Sequence, residues 1–123
     1  LLALSEVSTR QTPKTIGALD PNTLLRVQAY IQDHLDQNVA LADLARCAGM
    51  SQSHFSRAFK ATTGQTPHSY LLSCRIEQAR TLIMDTRRPL VDIAYETGFS
   101  SQAHMTTAFK SALAVTPGKL RLS

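Results

Sequence analysis

A chain of 123 residues and 13.5 kDa holds one domain or two very small ones, and is too short for a large barrel or a doubly wound sheet. Hydrophobic residues make up 43% and charged residues 18%, a globular composition, and no apolar run approaches the roughly 20 residues of a membrane helix, so a soluble protein with no membrane partner is expected. Thirteen Lys and Arg against nine Asp and Glu leave a net charge of +4, a modest excess that suits a polyanionic partner. The two cysteines, Cys47 and Cys74, form no CxxC pair, and no charged segment followed by a long apolar stretch opens the chain. A reducing compartment follows, and a cytoplasmic location is expected.

Residues 1–19 begin Leu1-Leu2-Ala3-Leu4 and continue through Ser, Thr, Gln, Pro and Lys without apolar periodicity, which reads as a tether or the remainder of a preceding domain. Asp20-Pro21 supplies an N-cap followed by proline at the first helical position. Leu24, Val27, Ile31 and Leu35 then recur at helical steps, predicting a helix to about Leu35. No stretch alternates with period two, so no strand is expected.

An internal repeat carries most of the information. Leu41 to Pro67 aligns with Leu90 to Pro117 if the second copy has one extra residue after its glycine, and twelve positions then coincide. They include Asp43 with Asp92, Ala45 with Ala94, Gly49 with Gly98, His54 with His104, Ala58-Phe59-Lys60 with Ala108-Phe109-Lys110, and Thr66-Pro67 with Thr116-Pro117. In the first copy a short helix bearing Leu41, Leu44, Ala45 and Ala48 stops at Gly49, and Ser51 caps a second helix running to about Thr63 before Gly64. In the second, Leu90, Ile93, Ala94 and Thr97 precede Gly98, and Ser100 or Ser101 caps a helix through about Leu113. Two helices joined by a short glycine-containing turn make a helix-turn-helix, whose second helix enters the major groove of DNA. Between the copies, Thr66-Pro67 starts a longer helix with Leu72, Ile76, Ala79 and Ile83 on one stripe, ending near Asp85.

Leu44-Ala45, Gly49-Met50-Ser51, Phe55 to Arg57, Phe59-Lys60, Gly64 and Thr66-Pro67, followed by Arg75, Ala79 and Leu82, stand in an order shared with a known family. Ile93-Ala94, Gly98-Phe99-Ser100, Phe109-Lys110, Thr116-Pro117 and Arg121 continue it. Over roughly residues 20–121 the sequence resembles the DNA-binding region of AraC/XylS-family transcription regulators. Met105, Ala114 and Leu120 depart from the pattern, standing where an aromatic residue, a glycine and an aromatic residue are usual. The resemblance implies an all-α, homeodomain-like domain of about seven helices. Its two helix-turn-helix subdomains, residues 20–66 and 87–121, would be held apart by a rigid linker helix within residues 67–86. It also implies a transcriptional activator that touches RNA polymerase, with any effector acting through a preceding domain.

The second helix of the first copy divides by spacing into an apolar side, Phe55, Ala58, Phe59 and Thr62, and a polar side, Gln52, Ser53, Ser56, Arg57 and Lys60. Arg57 is suited to bidentate contact with guanine O6 and N7, and Gln52 to adenine N6 and N7. In the second copy Met105, Ala108, Phe109 and Ala112 form the inner side, and Gln102, Ala103, Thr106, Thr107 and Lys110 the outer. There Gln102 would read adenine, and Ala103 or the threonine methyls would meet thymine. Ser51, Ser100 and Ser101, at helix N-termini where free N–H groups favour an anion, are candidate phosphate contacts, supported by Arg46, Lys60 and Lys110. After Glu96 there is no acidic residue while Lys110, Lys119 and Arg121 follow, so the last quarter reads as uniformly basic.

His54 and His104 occupy one repeat position, beside either a phosphate or the subdomain edge. No histidine has a ligand-like neighbour at i+3 or i+4, and no GxSxG, GxGxxG, P-loop or HExxH occurs, so no metal, cofactor or enzymatic centre is expected. Asp92 and Glu96 read as a solvated pair, Cys47 and Cys74 as small packing residues, and Tyr30 and Tyr70 as core edges. A linker helix of about 28 Å would let one monomeric chain place two recognition helices in major grooves about 34 Å apart. The sequence thus predicts sequence-specific binding of a double-stranded DNA operator. The alternative is a helical protein-interaction module with a basic face.

Overall fold

Proline and short polar side chains decide where most of the helices begin. The computed structural model describes residues 17–123, and the element order is α1 (Pro21–Asp33), α2 (Leu41–Ala48), α3 (Gln52–Thr63), α4 (Pro67–Asp85), α5 (Leu90–Glu96), α6 (Gln102–Leu113) and α7 (Pro117–Leu122). The fold is all-α, with two helix-turn-helix units around α4 and no strand among the described residues. The tether reading falls mostly outside the described residues; Leu19, at its end, is buried in the first core and donates its N–H to the Thr62 hydroxyl at 2.8 Å.

Asp20 caps α1 by accepting the Thr23 N–H at 3.0 Å and the Thr23 hydroxyl at 2.8 Å. These bonds, the Thr23 N–H foremost, hold its carboxyl below the usual carboxylate range. Because the folded-state value is lowered, the contribution is complete above the ordinary carboxylate pKa and is lost as pH falls through the lowered one. Ser51, Thr66, Ser101 and Thr116 cap α3, α4, α6 and α7 in the same way.

The first helix ends at Asp33, two residues before the expected limit near Leu35. His34 stacks on Tyr30 with ring centroids 4.0 Å apart and bonds the Tyr30 carbonyl through Nδ1 at 2.8 Å, closing the helix. Leu35 turns into the first core, and its carbonyl leaves the helical ladder.

Two separate apolar cores result. The first gathers Val27, Ile31, Leu35, Leu44, Phe55, Phe59 and Leu71, and the second Ile76, Ala79, Ile83, Ile93, Phe99, Met105 and Phe109. The long helix α4 therefore serves both: Leu71 faces the first core, while the expected stripe of Ile76, Ala79 and Ile83, with Leu72 half-buried beside it, faces the second. Met105 fills the place of the usual aromatic with no exposed surface. Ala112, expected on the inner side of α6, is exposed, because the last turn of that helix runs past the second core and carries Leu113 onto the surface with it. Cys47 and Cys74 are free thiols packed half-buried against the first core, as their composition suggested, and burial pushes the Cys74 thiol up.

Both helix-turn-helix turns close alike. Met50 donates to the Ala45 carbonyl at 3.0 Å and Phe99 to that of Ala94 at 2.9 Å, with Gly49 and Gly98 left-handed between them at φ 69° and 94°. The extra residue of the second copy lengthens the turn before α6. The helices themselves end differently: α3 closes on Gly64, whereas α6 closes on Ala114 at φ 60°, a left-handed conformation that a Cβ disfavours. Ala114→Gly is expected to raise unfolding stability by about 0.5 to 1 kcal/mol, the relief of strain exceeding the added chain entropy, in urea denaturation. A loss of stability would contradict that account of the α6 terminus.

Candidate nucleic-acid interface

Burial of Phe55, Ala58 and Phe59 against the first core fixes which face of α3 remains outside. Gln52, Ser53, Arg57 and Lys60 are exposed on it. Ser56 is not fully outward: it is half-buried and lines a cavity of about 260 Å³ with Leu41, Leu44, Pro67 and Leu71. On α6, burial of Met105, Ala108 and Phe109 leaves Gln102, Ala103, Thr107 and Lys110 exposed, with Thr106 half-buried.

The helix N-termini combine capping with free donors. Ser51 Oγ accepts the His54 N–H at 3.2 Å and Ser101 Oγ that of His104 at 3.0 Å, which leaves each hydroxyl proton and the first N–H groups of α3 and α6 directed away from the ladder. Such an arrangement suits a phosphate oxygen. Ser100 differs, because its N–H reaches His104 Nδ1 at 3.4 Å and its hydroxyl lies 3.2 Å from the same nitrogen. His104 also packs edge-on against Phe99, with centroids 5.3 Å apart, so at this position the subdomain-edge role of the histidine is the one observed. His54 is exposed.

The cations divide into two groups. Arg46 pairs with Asp43 at 3.2 Å on the surface of α2, Arg80 with Glu77 at 2.7 Å, and Arg88 with Glu96. Asp92 is exposed, while Glu96 is committed to that ion pair. Arg57, Lys60 and Lys110 enter no ion pair among the described residues. The last quarter of the chain is less basic on its surface than its composition suggests. Arg121 turns inward and donates to the carbonyls of Ile83 at 3.2 Å, Arg88 at 2.6 Å and Thr86 at 3.2 Å, stitching α7 to the end of α4.

Arg75 does the same for the first unit. Its Nε donates to the Leu35 carbonyl at 3.1 Å and its Nη2 to that of Gln37 at 2.6 Å. Burial draws its pKa below the usual guanidinium value, yet the group remains the charged donor that two carbonyls require. Nothing in residue spacing marked these two arginines as internal fasteners, since basic side chains ordinarily read as surface. Buried Thr97, whose hydroxyl bonds the Ile93 carbonyl at 2.7 Å, was legible only as an apolar-stripe position. Tyr70 lies at the core edge as expected, edge-on to Phe59 and accepting from Gln28 Nε2 at 3.1 Å. No cluster of three or more His, Cys, Asp or Glu suited to a metal occurs among the described residues, and no helix there is long and apolar enough to cross a membrane.

Residues 44–123 match the model of a family described as a helix-turn-helix domain, well over half of the chain. The right origin-binding protein of Escherichia coli is 37% identical over 94 residues, which are 76% of this chain and 32% of that protein. The C-terminal domain of AraT, a response regulator from Geobacillus stearothermophilus, superposes with a TM-score of 0.78 at 32% identity, covering 85% of this chain and 86% of that one. The DNA-binding domain of AdpA, a global transcriptional factor whose structure was solved with a target DNA, gives a TM-score of 0.77 at 29% identity, covering 81% and 90%. The chain spans between about a quarter and two fifths of the length of most of the curated relatives it matches, among them the right origin-binding protein. The family match over residues 44–123, together with the likeness of the two helix-turn-helix units on one long helix to AraC-type DNA-binding domains, shows that the chain belongs to the AraC/XylS family of DNA-binding transcription regulators, which are not enzymes.

Proposed function

We propose that residues 20–121 read one asymmetric double-stranded operator as a monomer, with α3 and α6 in neighbouring major grooves and residues 1–19 serving as a tether to an effector-responsive domain. The observation that carries this reading is the repetition of one outward polar face, with one type of serine-capped N-terminus, on two helices fixed to opposite halves of α4. At 19 residues α4 is about 28 Å long, which suits grooves about 34 Å apart. Gln52, Ser53, Ser56 and Arg57 on α3, and Gln102, Ala103, Thr106 and Thr107 on α6, are the base-reading set. Ser51, Ser100, Ser101, Arg46, Lys60 and Lys110 hold phosphate, Ser100 exchanging its contacts with His104 for the phosphate oxygen. The regulator acts in the cytoplasm, as an activator that contacts RNA polymerase. Enrichment of duplexes from a random pool tests the reading: two short preferred blocks about one helical turn apart are expected, and a single block or none would refute it.

Arg57→Ala should weaken binding by about 1 to 3 kcal/mol and relax the preference at one base pair, chiefly a guanine. Lys60→Ala and Lys110→Ala should instead weaken all sequences alike and reduce the salt slope by about one unit each. Competition assays at several salt concentrations separate the two behaviours, and equal loss on specific and random DNA for Arg57→Ala would remove its base-reading role.

The two units should also contribute unequally. The first presents Arg57, able to grip a base with two bonds, while the second presents an amide, an alanine and threonines. Since a good bidentate pair carries about 1 to 3 kcal/mol of discrimination, mismatches under α3 should be penalised more than those under α6. A site substituted at every base pair in turn, measured at fixed salt, checks this. Larger penalties under α6 would defeat it.

A further inference from the structure

We propose that Arg75, seated against Gly98, sets the spacing at which the protein accepts its two half-sites, an inference that rests on the two-groove reading above. Arg75 stands on α4 one turn after Leu71, the last residue of that helix buried in the first core, and immediately before Ile76, the first buried in the second. From that position its fork holds the Leu35 and Gln37 carbonyls, both in the turn that follows α1. Gly98 completes the junction from the other side. A Cβ built on Gly98 would lie well inside van der Waals contact with the Leu35 carbonyl oxygen and Arg75 Nε, and 2.9 Å from Arg75 Cζ. Three segments therefore meet on one carbonyl: the turn after α1, the middle of α4, and the turn of the second helix-turn-helix.

The consequence is geometric. Gly98 lies only three residues before Ser101, which caps α6, so what Gly98 rests on locates the N-terminus of the second recognition helix relative to the first subdomain. This contact ties the first subdomain to the second in addition to their shared packing on α4, and without it small rotations about that helix would move α6 in its groove. One added base pair turns the distal half-site by about 35° and moves it by about 3.4 Å. A rigid junction penalises that change and a loose one absorbs it. Arg121 provides the contrast, since it grips three carbonyls at the end of α4 within the second unit alone. Arg75 is thus a positioning residue: its effect on DNA passes through the placement of α6.

The experiment uses a duplex enriched from the random pool, versions with the spacer one base pair longer or shorter, and versions with either half-site scrambled. The wild-type chain should lose affinity at least about tenfold on either spacer change. Arg75→Ala and Arg75→Lys, the second keeping stem and charge but losing the two-carbonyl fork, should bind the native spacing several-fold more weakly while their spacing preference shrinks to within about threefold. Their affinity for duplexes with one scrambled half-site should stay near wild type, which a general loss of folding would not allow. Arg121→Ala should lower the melting temperature and retain the tenfold spacing preference. Should both Arg75 variants keep the wild-type spacing profile, or should Arg121→Ala flatten it equally, the proposal is overturned. A wild-type chain that binds a one-half duplex as tightly as the full site would instead remove the two-groove reading beneath it.

Discussion

One helix has to be a wall of two cores at once, and the rest of the molecule is arranged around that constraint. The helix α4 runs from Pro67 to Asp85, giving Leu71 to the first cluster and Ile76, Ala79 and Ile83 to the second. Each subdomain is too small to bury a core from its helix-turn-helix alone, and borrowing a face of the shared helix completes it. Two units that share a structural wall cannot drift independently, as two units on a flexible tether would. The arginines then fasten what packing places: each reaches from the helix that closes a unit to the carbonyls at the end of the helix that opens it, Arg75 to Leu35 and Gln37, and Arg121 to Ile83, Thr86 and Arg88. Carbonyls released where a helix ends need donors, and a charged fork satisfies two or three of them together.

Much of this organisation is legible in the sequence because it is local. Proline after Asp20, Thr66 and Thr116 marks three helix starts, Gly49 and Gly98 mark the turns, and the repeat reveals that the same unit occurs twice. The start of α4 follows from Thr66-Pro67, and the inner faces of α3 and α6, Ala112 apart, follow from apolar spacing. Other features depend on partners distant in the chain. Leu71 lies off the stripe of Leu72, Ile76, Ala79 and Ile83 because the helix faces two cores, so no single stripe runs along it. The end of α1 at Asp33 depends on the His34 ring stacking on Tyr30, and exposure of Ala112 depends on where the second core stops.

The interface was readable to the same degree. Helical spacing separates Arg57 and Lys60 from Phe55 and Phe59, and tertiary packing adds that separation to the surface without altering it. What spacing does not contain is side-chain competition. Ser56 sits at the rim of an apolar cavity, Ser100 is engaged by His104, and Arg46 shares its charge with Asp43. The composition of the last quarter suggested a basic surface, whereas Arg121 spends its donors internally. In a repeat, identical letters therefore mark identical packing more dependably than identical chemistry: His54 and His104 share a position, but the second copy's longer turn provides a serine for only one of them.

The central claim is that a single chain presents two recognition helices to one face of a duplex. Hydroxyl-radical footprinting of the chain on an enriched site, at one protein per duplex, tests it most directly. Two protected patches about one helical turn apart on the same face of the DNA, saturating together at equimolar protein, are the predicted result. One patch at equimolar protein, with a second appearing only when a second chain is added, would contradict it.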